Sequence, residues 1–424
     1  MNSYNFKLGI IIFICSFPLL WFNERKAVRT YAVINEAEKN CIEIQSSEVN
    51  AKNEGKLVFI SDNTSVSKPL EDKEIGISID QALKIVRKVE MFQWVEIKRS
   101  SSERDTFGGG ETTYTTYSYN REWKDHVVES GSFAESGHHN PSSFDWILRN
   151  DTFINSGNAS IGAFILNDEQ IKNMSKLKIF VFDPLKIQHI KENLQSKLNS
   201  KNLKITDSYI YITSYLGGRE EIGDIRISLS YKDPSSLSLV CSQIDNTFKS
   251  YDFLEKGFGN KELDQQPLIS TLKDERESEC CNCCACCFCY MFCDKAFQTN
   301  SQIDWQYEES LTKSQIFKRR KNENQTITSL LRLLGFICMV GGICFFFSPI
   351  YEILQILPFL SAIGKFIIFV FALIFSIPMS LIIIIFAWIF YRPVLAIVLA
   401  VMMGTVGGLI WMIVKKQEAQ GAAF

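Results

Sequence analysis

Eight of the 13 cysteines lie within 14 residues, so thiol chemistry is the first question that the sequence raises. Thiols on a cytosolic membrane surface are targets for palmitoylation. In an oxidising lumen they would instead form disulfides, and overlapping C-x-x-C spacings could hold Zn(II) or Cu(I) as a thiolate cluster. A variable insertion without a single role is the fourth alternative, and the composition leaves all four open. The candidate metal ligands are Cys280, Cys281, Cys283, Cys284, Cys286, Cys287, Cys289 and Cys293.

The histidines, in contrast, do not form a catalytic pattern. His189 falls inside a predicted helix, His126 ends a predicted strand, and His138 and His139 share a turn-like loop. A catalytic zinc ion needs three protein ligands in fixed geometry, which a neighbouring pair does not supply. The sequence also lacks the H-E-x-x-H, P-loop and G-x-S-x-G motifs. We therefore expect no enzymatic activity and no cofactor.

Charged residues are almost missing from one long stretch near the C-terminus. The 82 residues between Leu333 and Val414 contain three of them, and such a stretch excludes a wholly soluble or mostly disordered protein. Because all three fall at predicted helix ends, we place them at the membrane interface rather than in a transport path, although a channel or transporter subunit remains the alternative. The net charge of -2 argues against a nucleic-acid binder. The predicted interface residues are Glu352, Lys365, Tyr391 and Arg392.

Four apolar stretches are long enough, or nearly so, to cross a hydrocarbon core that needs about 20 helical residues. The first follows Lys7 and is short, so it is either an uncleaved anchor or a removed signal sequence. Charged residues rather than small ones come after it, which favours the anchor. Pro378 lies inside the third stretch and predicts a kink rather than a break. The predicted transmembrane helices are 8–22, 331–347, 366–389 and 393–414.

Polar segments connect these stretches. The amphipathic pattern that follows Pro349 predicts a short helix lying in the interface and ending at Pro358, and an ordinary loop is the alternative. Arg332 stands at the start of the second crossing, where we expect its guanidinium to reach the lipid headgroups. The predicted segments outside the crossings are tails at 1–7 and 415–424, a folded domain at 23–279, the cysteine-rich segment 280–293, a polar linker at 294–330 and the interfacial segment 348–365.

The folded domain carries strand and helix patterns. Apolar residues alternate along 89–97 and aromatic ones along 113–123, which predicts a long hairpin with Gly108–Gly110 at its tip. Asp183 and Pro184 would begin a helix that has Ile187, Ile190, Leu194 and Leu198 on one face. Further strands are predicted at 56–61, 208–213, 224–231 and 237–244. The fold class is therefore an α+β membrane protein with a mainly antiparallel domain.

Two features of this domain have alternative interpretations. The aromatic residues Phe92, Trp94, Tyr114 and Tyr117 could form a partner-binding surface, or they could fill the core and cover a sheet face. The side of the membrane is also open: basic residues beside the domain favour the cytosol, whereas long domains often escape that rule. Five glycosylation sequons would suit a lumen, or occur by chance in a chain rich in Asn, Ser and Thr. The sequons begin at Asn63, Asn150, Asn158, Asn173 and Asn324.

Several collinear motifs, read together, resemble one known family. The motifs are Asn53–Val58, Val89–Glu96, Tyr117–Trp123, Gly137–Pro141, Gly223–Ser228 and Trp388–Pro393. Together with one anchor and three later helices, they are similar to the LUMA family, transmembrane protein 43. The cysteine run and the short N-terminal tail depart from the family pattern.

This resemblance implies a multi-pass protein of the endoplasmic reticulum and inner nuclear membrane, with its large domain in the lumen. It implies no catalysis. It implies instead a membrane scaffold that associates with itself, engages emerin and lamins, and helps to organise the nuclear envelope. Four crossings would put both chain ends on one side and the folded domain on the other.

Overall fold

A computed structural model describes residues 3–104, 111–142, 146–182, 187–195, 197–198, 201–215, 217–252, 302–350 and 358–392, together with residues 401 and 405. The chain divides into two compact units. The helical unit contains residues 1–42, 250–303 and 312–424, and the β unit contains residues 43–249 and 304–311. The cysteine-rich segment 280–293, the hairpin tip Gly108–Gly110 and nearly all of the predicted helix 393–414 lie outside the described residues.

The described part of the chain forms helices at both ends and strands between them, which confirms the predicted α+β fold class. The helices are α1 (Ser3–Asn40), α2 (Asp168–Asn173), α3 (Ile187–Gln195), α4 (Lys313–Phe346) and α5 (Pro358–Tyr391). The strands are β1 (Ile42–Glu43), β2 (Leu57–Val66), β3 (Leu70–Asp72), β4 (Ile77–Ile79), β5 (Lys84–Arg104), β6 (Glu111–Lys124), β7 (Asp151–Ile154), β8 (Ala159–Ile161), β9 (Phe164–Ile165), β10 (Lys178–Ile179), β11 (Asn202–Ile205), β12 (Ile210–Thr213), β13 (Ile225–Lys232), β14 (Ser236–Ile244), β15 (Thr247–Lys249), β16 (Tyr251–Asp252), β17 (Gln302–Ile303) and β18 (Trp305–Tyr307).

Two antiparallel sheets make up most of the β unit. One has the strand order β15-β14-β2-β8-β9, with β18 also paired to β14. The other has the order β11-β12-β13-β5-β6, with β10 on β13 and β7 on β5. The predicted hairpin is confirmed as β5 and β6, which pair from Met91 opposite Lys124 to Arg104 opposite Glu111.

The main core of the β unit covers one face of the second sheet. Helix α3 contributes Ile190 and Leu194, both fully or almost fully buried, so the predicted apolar face is confirmed at these two positions. The predicted helix start at Asp183 and Pro184 lies outside the described residues. Strand β5 contributes Val89 and Met91, which have no exposed surface. Burial on alternate positions follows from the pleat, because successive side chains of a strand point to opposite faces.

Three long helices dominate the helical unit, and each is long and apolar enough to cross a membrane. These candidate spans are Asn5–Asn40, Lys313–Phe346 and Ile363–Tyr391. Leu20, Met339 and Ile383 from the three helices bury one another. Gly342 lets α4 approach α1 closely, since a Cβ there would lie within 2.9 Å of the Phe13 backbone. Helix α5 continues through Pro378 without a break, as predicted.

The helices extend well beyond the stretches that hydropathy marks. Residues 23–40 and 313–330 are helical, although the sequence assigned them to the folded domain and to a polar linker. Hydropathy reports which residues fit lipid, whereas a helix ends where its backbone groups are capped. Thr312 and Gln315 form such a capping box at the start of α4. Pro358 begins α5, because proline fits the first helical turn, so residues 358–365 of the predicted interfacial segment belong to this helix. Residues 351–357 of that segment lie outside the described residues.

Candidate functional site

The sequence motifs meet at the base of the hairpin in the β unit. Strand β5 carries one motif and β6 another, and they are opposite each other with Phe92 paired to Trp123. Strand β13 brings a third motif to the other edge of β5, where Arg226 lies opposite Glu90. The loop 137–141 supplies a fourth and contacts Trp94. Residues that are distant in sequence thus form one surface.

Aromatic rings and guanidinium groups alternate across this surface. His138 stacks on Tyr119 with ring centroids 4.0 Å apart, and its edge meets the Trp94 ring at 4.6 Å. The Arg121 guanidinium lies 5.5 Å from the centre of the Trp94 ring. At the base of the hairpin, the Arg226 guanidinium of β13 lies 4.6 Å from the centre of the Trp123 ring. We call these residues the aromatic ladder: Trp94, Tyr119, Arg121, Trp123, His138 and Arg226.

Two polar side chains fix the loop that supports the ladder. The Asn140 amide oxygen accepts the Trp94 N–H at 2.7 Å, and its nitrogen donates to the Trp94 carbonyl at 2.9 Å. The Glu96 carboxylate accepts the Tyr119 hydroxyl at 2.8 Å and the Ala134 N–H at 2.6 Å. Asn140 therefore satisfies the backbone N–H and C=O of Trp94 as a neighbouring strand would, at an edge of β5 where pairing with β13 has already ended.

Two titratable groups at the aromatic ladder, Glu90 beside it and Tyr119 within it, each keep one protonation state near neutral pH. Burial would raise the pKa of Glu90, but hydrogen bonds from Arg226 and Lys88 outweigh it and lower that pKa. Desolvation and the hydrogen bond to Glu96 raise the pKa of the Tyr119 phenol, so it stays a neutral donor. The His138 imidazole lies between two rings rather than beside a nucleophile. This arrangement can bind a partner through ring faces and cations.

The hairpin continues from its base as a two-stranded ribbon, which we define as residues 95–104 and 111–120. The inner end of the ribbon includes Tyr119 of the aromatic ladder. Its outer part is exposed, with Tyr114 at 53% and Tyr117 at 37% exposed. The four predicted aromatic residues therefore divide: Phe92 is buried, Trp94 is half-buried, and the two tyrosines are on the surface. The core interpretation is confirmed for Phe92, whereas a partner-binding role for the exposed tyrosines stays a prediction.

The helical unit contains a second candidate site, a buried ion pair shared by three helices. Glu24 of α1 has no exposed surface. Its carboxylate accepts hydrogen bonds from Arg332 of α4 at 2.5 and 2.8 Å, and from the Trp388 indole of α5 at 2.8 Å. Two nitrogens of Arg332, a residue that the sequence predicted to reach the lipid headgroups, bind this buried carboxylate, and its side chain keeps 31% exposure. We call these three residues the polar junction.

Polar contacts continue from the polar junction along α1 and α4. Asn23 donates to the Thr328 carbonyl at 3.0 Å, and Asn324 donates to the Ala27 carbonyl at 2.9 Å. A cleft of about 610 Å³ opens beside these contacts. Its described lining residues are Ala27, Val28, Tyr31, Asn324, Gln325, Thr328, Ser329, Arg332 and Arg392.

The predicted interface residues occupy different surroundings. Lys365 is exposed on α5, and the Tyr391 ring meets the edge of Trp21 at a centroid distance of 5.6 Å. Arg392 is half-buried and lines the cleft. Glu352 and the eight candidate metal ligands between Cys280 and Cys293 lie outside the described residues. In the part of the chain that the structure describes, His, Cys, Asp and Glu form no group of three that could hold a metal ion.

Sequence inspection overlooked the polar junction, although a signal was present. Glu24 follows the apolar stretch of α1 by two residues, and Arg332 lies at the start of the apolar stretch of α4. Two antiparallel helices that enter a membrane at one level bring such residues together. Opposite charges at matching depths of two predicted spans are therefore a usable sign of pairing.

The chain is similar to known proteins along nearly all of its length. A family model described as transmembrane protein 43 matches residues 91–393, which include the whole aromatic ladder. Transmembrane protein 43 of Homo sapiens is 24% identical over 399 residues, covering 93% of this chain and 86% of the human protein. The Rattus norvegicus protein is 24% identical over 396 residues, covering 92% and 86%. A Drosophila melanogaster homolog is 33% identical over 139 residues, covering 32% and 37%. No solved structure matches the chain.

Proposed function

Because the chain belongs to the transmembrane protein 43 family, we propose that it is a non-enzymatic, multi-pass scaffold that organises protein complexes. Its membranes would be the endoplasmic reticulum and the inner nuclear membrane, where it would contribute to nuclear envelope organisation. Its partners would be a second copy of itself and nuclear-envelope proteins of the emerin or lamin type. The observation that carries the scaffold role is the ribbon, which reaches out from the sheet with an open strand edge.

Strand β6 is the terminal strand of its sheet. Over its 14 residues it pairs only with β5 among the described strands, so its outer N–H and C=O groups are free for another strand. Long exposed edges promote pairing between chains unless proline, a bulge or a covering element blocks them. Residues 111–124 contain no proline. The edge is therefore suited to strand addition.

Charge favours a second copy as the occupant of this edge. Glu111 begins β6, whereas Arg121, Glu122 and Lys124 stand near its end. Glu122 pairs with Lys124 at 2.8 Å, so Arg121 leaves this end with one net positive charge. In an antiparallel pair of identical strands, the beginning of each strand meets the end of the other. The Glu111 carboxylate of one copy would then face the net positive end of the other copy, at both ends of a pair centred near Tyr117.

Photo-crosslinking tests this assembly without interference from the native cysteines. We expect p-benzoylphenylalanine in place of Tyr117 to give a covalent dimer in intact membranes, with the crosslink mapping to residues 111–124 of the other copy. The matched control is the same substitution at Tyr215, a tyrosine of the β unit that is 58% exposed and lies outside the ribbon. Equal dimer from both positions, or monomer from both, would contradict pairing through β6.

Glycosylation tests the proposed lumenal placement of the β unit. Asn173, at the end of α2, is exposed and begins a sequon, so a lumenal domain is expected to carry a glycan there. Asn173→Gln should then remove one step of the mobility shift seen after endoglycosidase treatment. Asn324→Gln is the control and should change nothing, because that amide is engaged with the Ala27 carbonyl. If the wild-type chain shows no shift at all, the lumenal placement fails.

A channel or transporter subunit is the alternative that a buried charge would favour. The buried Glu24, however, which lies two residues beyond the apolar stretch of α1, has both carboxylate oxygens occupied by donors from α4 and α5. A carboxylate held in this way connects helices and does not present a site for a passing ion. This contact supports the scaffold over the channel.

A further inference from the structure

The cleft beside the polar junction has the donors of an anion-binding site. Its polar lining includes two guanidinium groups, from Arg332 and Arg392, and none of its described lining residues is acidic. The neighbouring carboxylate, Glu24, is fully buried and bound on both oxygens. The scaffold proposal does not use this cleft, so an experiment that contradicts either the scaffold or the anion site leaves the other unaffected.

The charge in the cleft comes mainly from Arg392. Arg332 uses its Nε and one terminal nitrogen to bind Glu24, so this pair is neutral as a unit, while its side chain keeps 31% exposure. Arg392 forms no ion pair with a described residue and is half-buried. Amide, hydroxyl and phenol groups complete the lining through Asn324, Ser329 and Tyr31. A half-buried guanidinium without a partner favours an anion with several acceptor oxygens.

The depth of the cleft identifies the source of that anion. Its cationic end is level with Arg332 and Arg392, which flank the apolar stretches of α4 and α5. Its other end reaches Tyr31, nine residues beyond the last apolar residue of the α1 stretch, Phe22. The cleft thus spans the layer outside the hydrocarbon core, where phosphate headgroups lie.

We propose that this cleft binds the phosphate of an anionic lipid headgroup, with Arg392 as the main cationic contact. Arginine suits this role because its planar fork can donate two parallel hydrogen bonds to phosphate oxygens. The acyl chains of the lipid would run beside the apolar part of the bundle. Tyr31, Asn324 and Ser329 would supply further hydrogen bonds to the headgroup.

Native mass spectrometry of the full chain in detergent tests the proposal with phosphatidic acid as the probe and phosphatidylcholine as the reference lipid. We expect the wild-type chain to retain phosphatidic acid preferentially and Arg392→Gln to weaken its retention about tenfold, the usual worth of one lost charge-assisted hydrogen bond. Arg392→Lys keeps the charge without the fork and should lie between the two. Lys365→Gln, an exposed cation about 40 Å away along α5, should match the wild type.

Three outcomes would overturn the proposal. An equal loss in Lys365→Gln would mean diffuse attraction to cationic residues rather than a site. Equal retention of both lipids by the wild-type chain would mean that the cleft does not recognise phosphate charge. Complete displacement of phosphatidic acid by millimolar inorganic phosphate would confirm an anion site but assign it to a free anion instead of a lipid. Melting temperatures that match the wild type for Arg392→Gln, Arg392→Lys and Lys365→Gln show that all three variants are folded.

Discussion

Glu24→Ala is expected to destabilise the helical unit by about 2–3 kcal/mol, less than the full cost of stranding a buried charge, because the Arg332 side chain that it leaves is 31% exposed. The substitution removes the group that binds Arg332 of α4 and Trp388 of α5. Arg332, whose side chain is 31% exposed in the cleft, then lacks its carboxylate partner. We expect the purified chain to unfold at a lower SDS fraction and to accumulate less in membranes.

A double-mutant cycle separates the pair from the individual side chains. Arg332→Met alone should cost more, about 3–5 kcal/mol, because it leaves the fully buried Glu24 without its main donor. The variant that carries both Glu24→Ala and Arg332→Met should recover most of the loss, since no unpaired charge remains. Simple addition of the two losses would contradict an energetic coupling between α1 and α4 at this level.

The hairpin illustrates how much of this fold the sequence reveals. Alternating aromatic and β-branched residues predict β5 and β6, and the structure confirms both. The strands are longer than predicted, since β5 begins at Lys84 and ends at Arg104. Charged and serine residues weaken the pattern there, whereas backbone pairing with β6, β7 and β13 continues regardless. Strand pairing depends on neighbours that a local pattern does not contain.

The two candidate sites differ in how far sequence could predict them. The motifs contain all six ladder residues, but the contact of His138 with Trp94 and Tyr119 depends on a loop that Asn140 holds against β5. That loop is more than 40 residues from Trp94 in sequence, so no local rule joins them. The polar junction is still harder to predict from sequence. Three helices must pack in one register before Glu24 can contact both Arg332 and Trp388.

A second buried ion pair, in the β unit, gives the other large expected effect. The Arg87 guanidinium, with 1% of its side chain exposed, donates to both oxygens of Asp72 at 2.8 Å. It also binds Glu74 and donates to the Arg149 carbonyl at 3.0 Å. These contacts fasten the small β3–β4 hairpin to strand β5. Arg87→Met keeps much of the volume but removes the charge and every one of these bonds.

We expect Arg87→Met to cost the β unit about 3–5 kcal/mol at pH 8, because Asp72 stays buried without its cation. Hydrogen exchange of the β5 amides in the full chain measures this loss locally. Arg99→Met is the matched control on the same strand, where the side chain is exposed, and should stay within about 0.5 kcal/mol of the wild type.

The pH dependence of this variant follows from Asp72. Burial raises the pKa of this carboxyl, and the Arg87 guanidinium opposes that rise. Arg87→Met removes the guanidinium that lowers this pKa, so the folded-state pKa of Asp72 moves further above the unfolded value of about 3.9. A raised folded pKa makes the native state bind more protons, and stability therefore falls as pH rises through it. The loss caused by Arg87→Met should be smaller at pH 5 than at pH 8, and adding Asp72→Asn should abolish that difference. A loss that is the same at both pH values would show that packing, and not the stranded carboxylate, sets the cost.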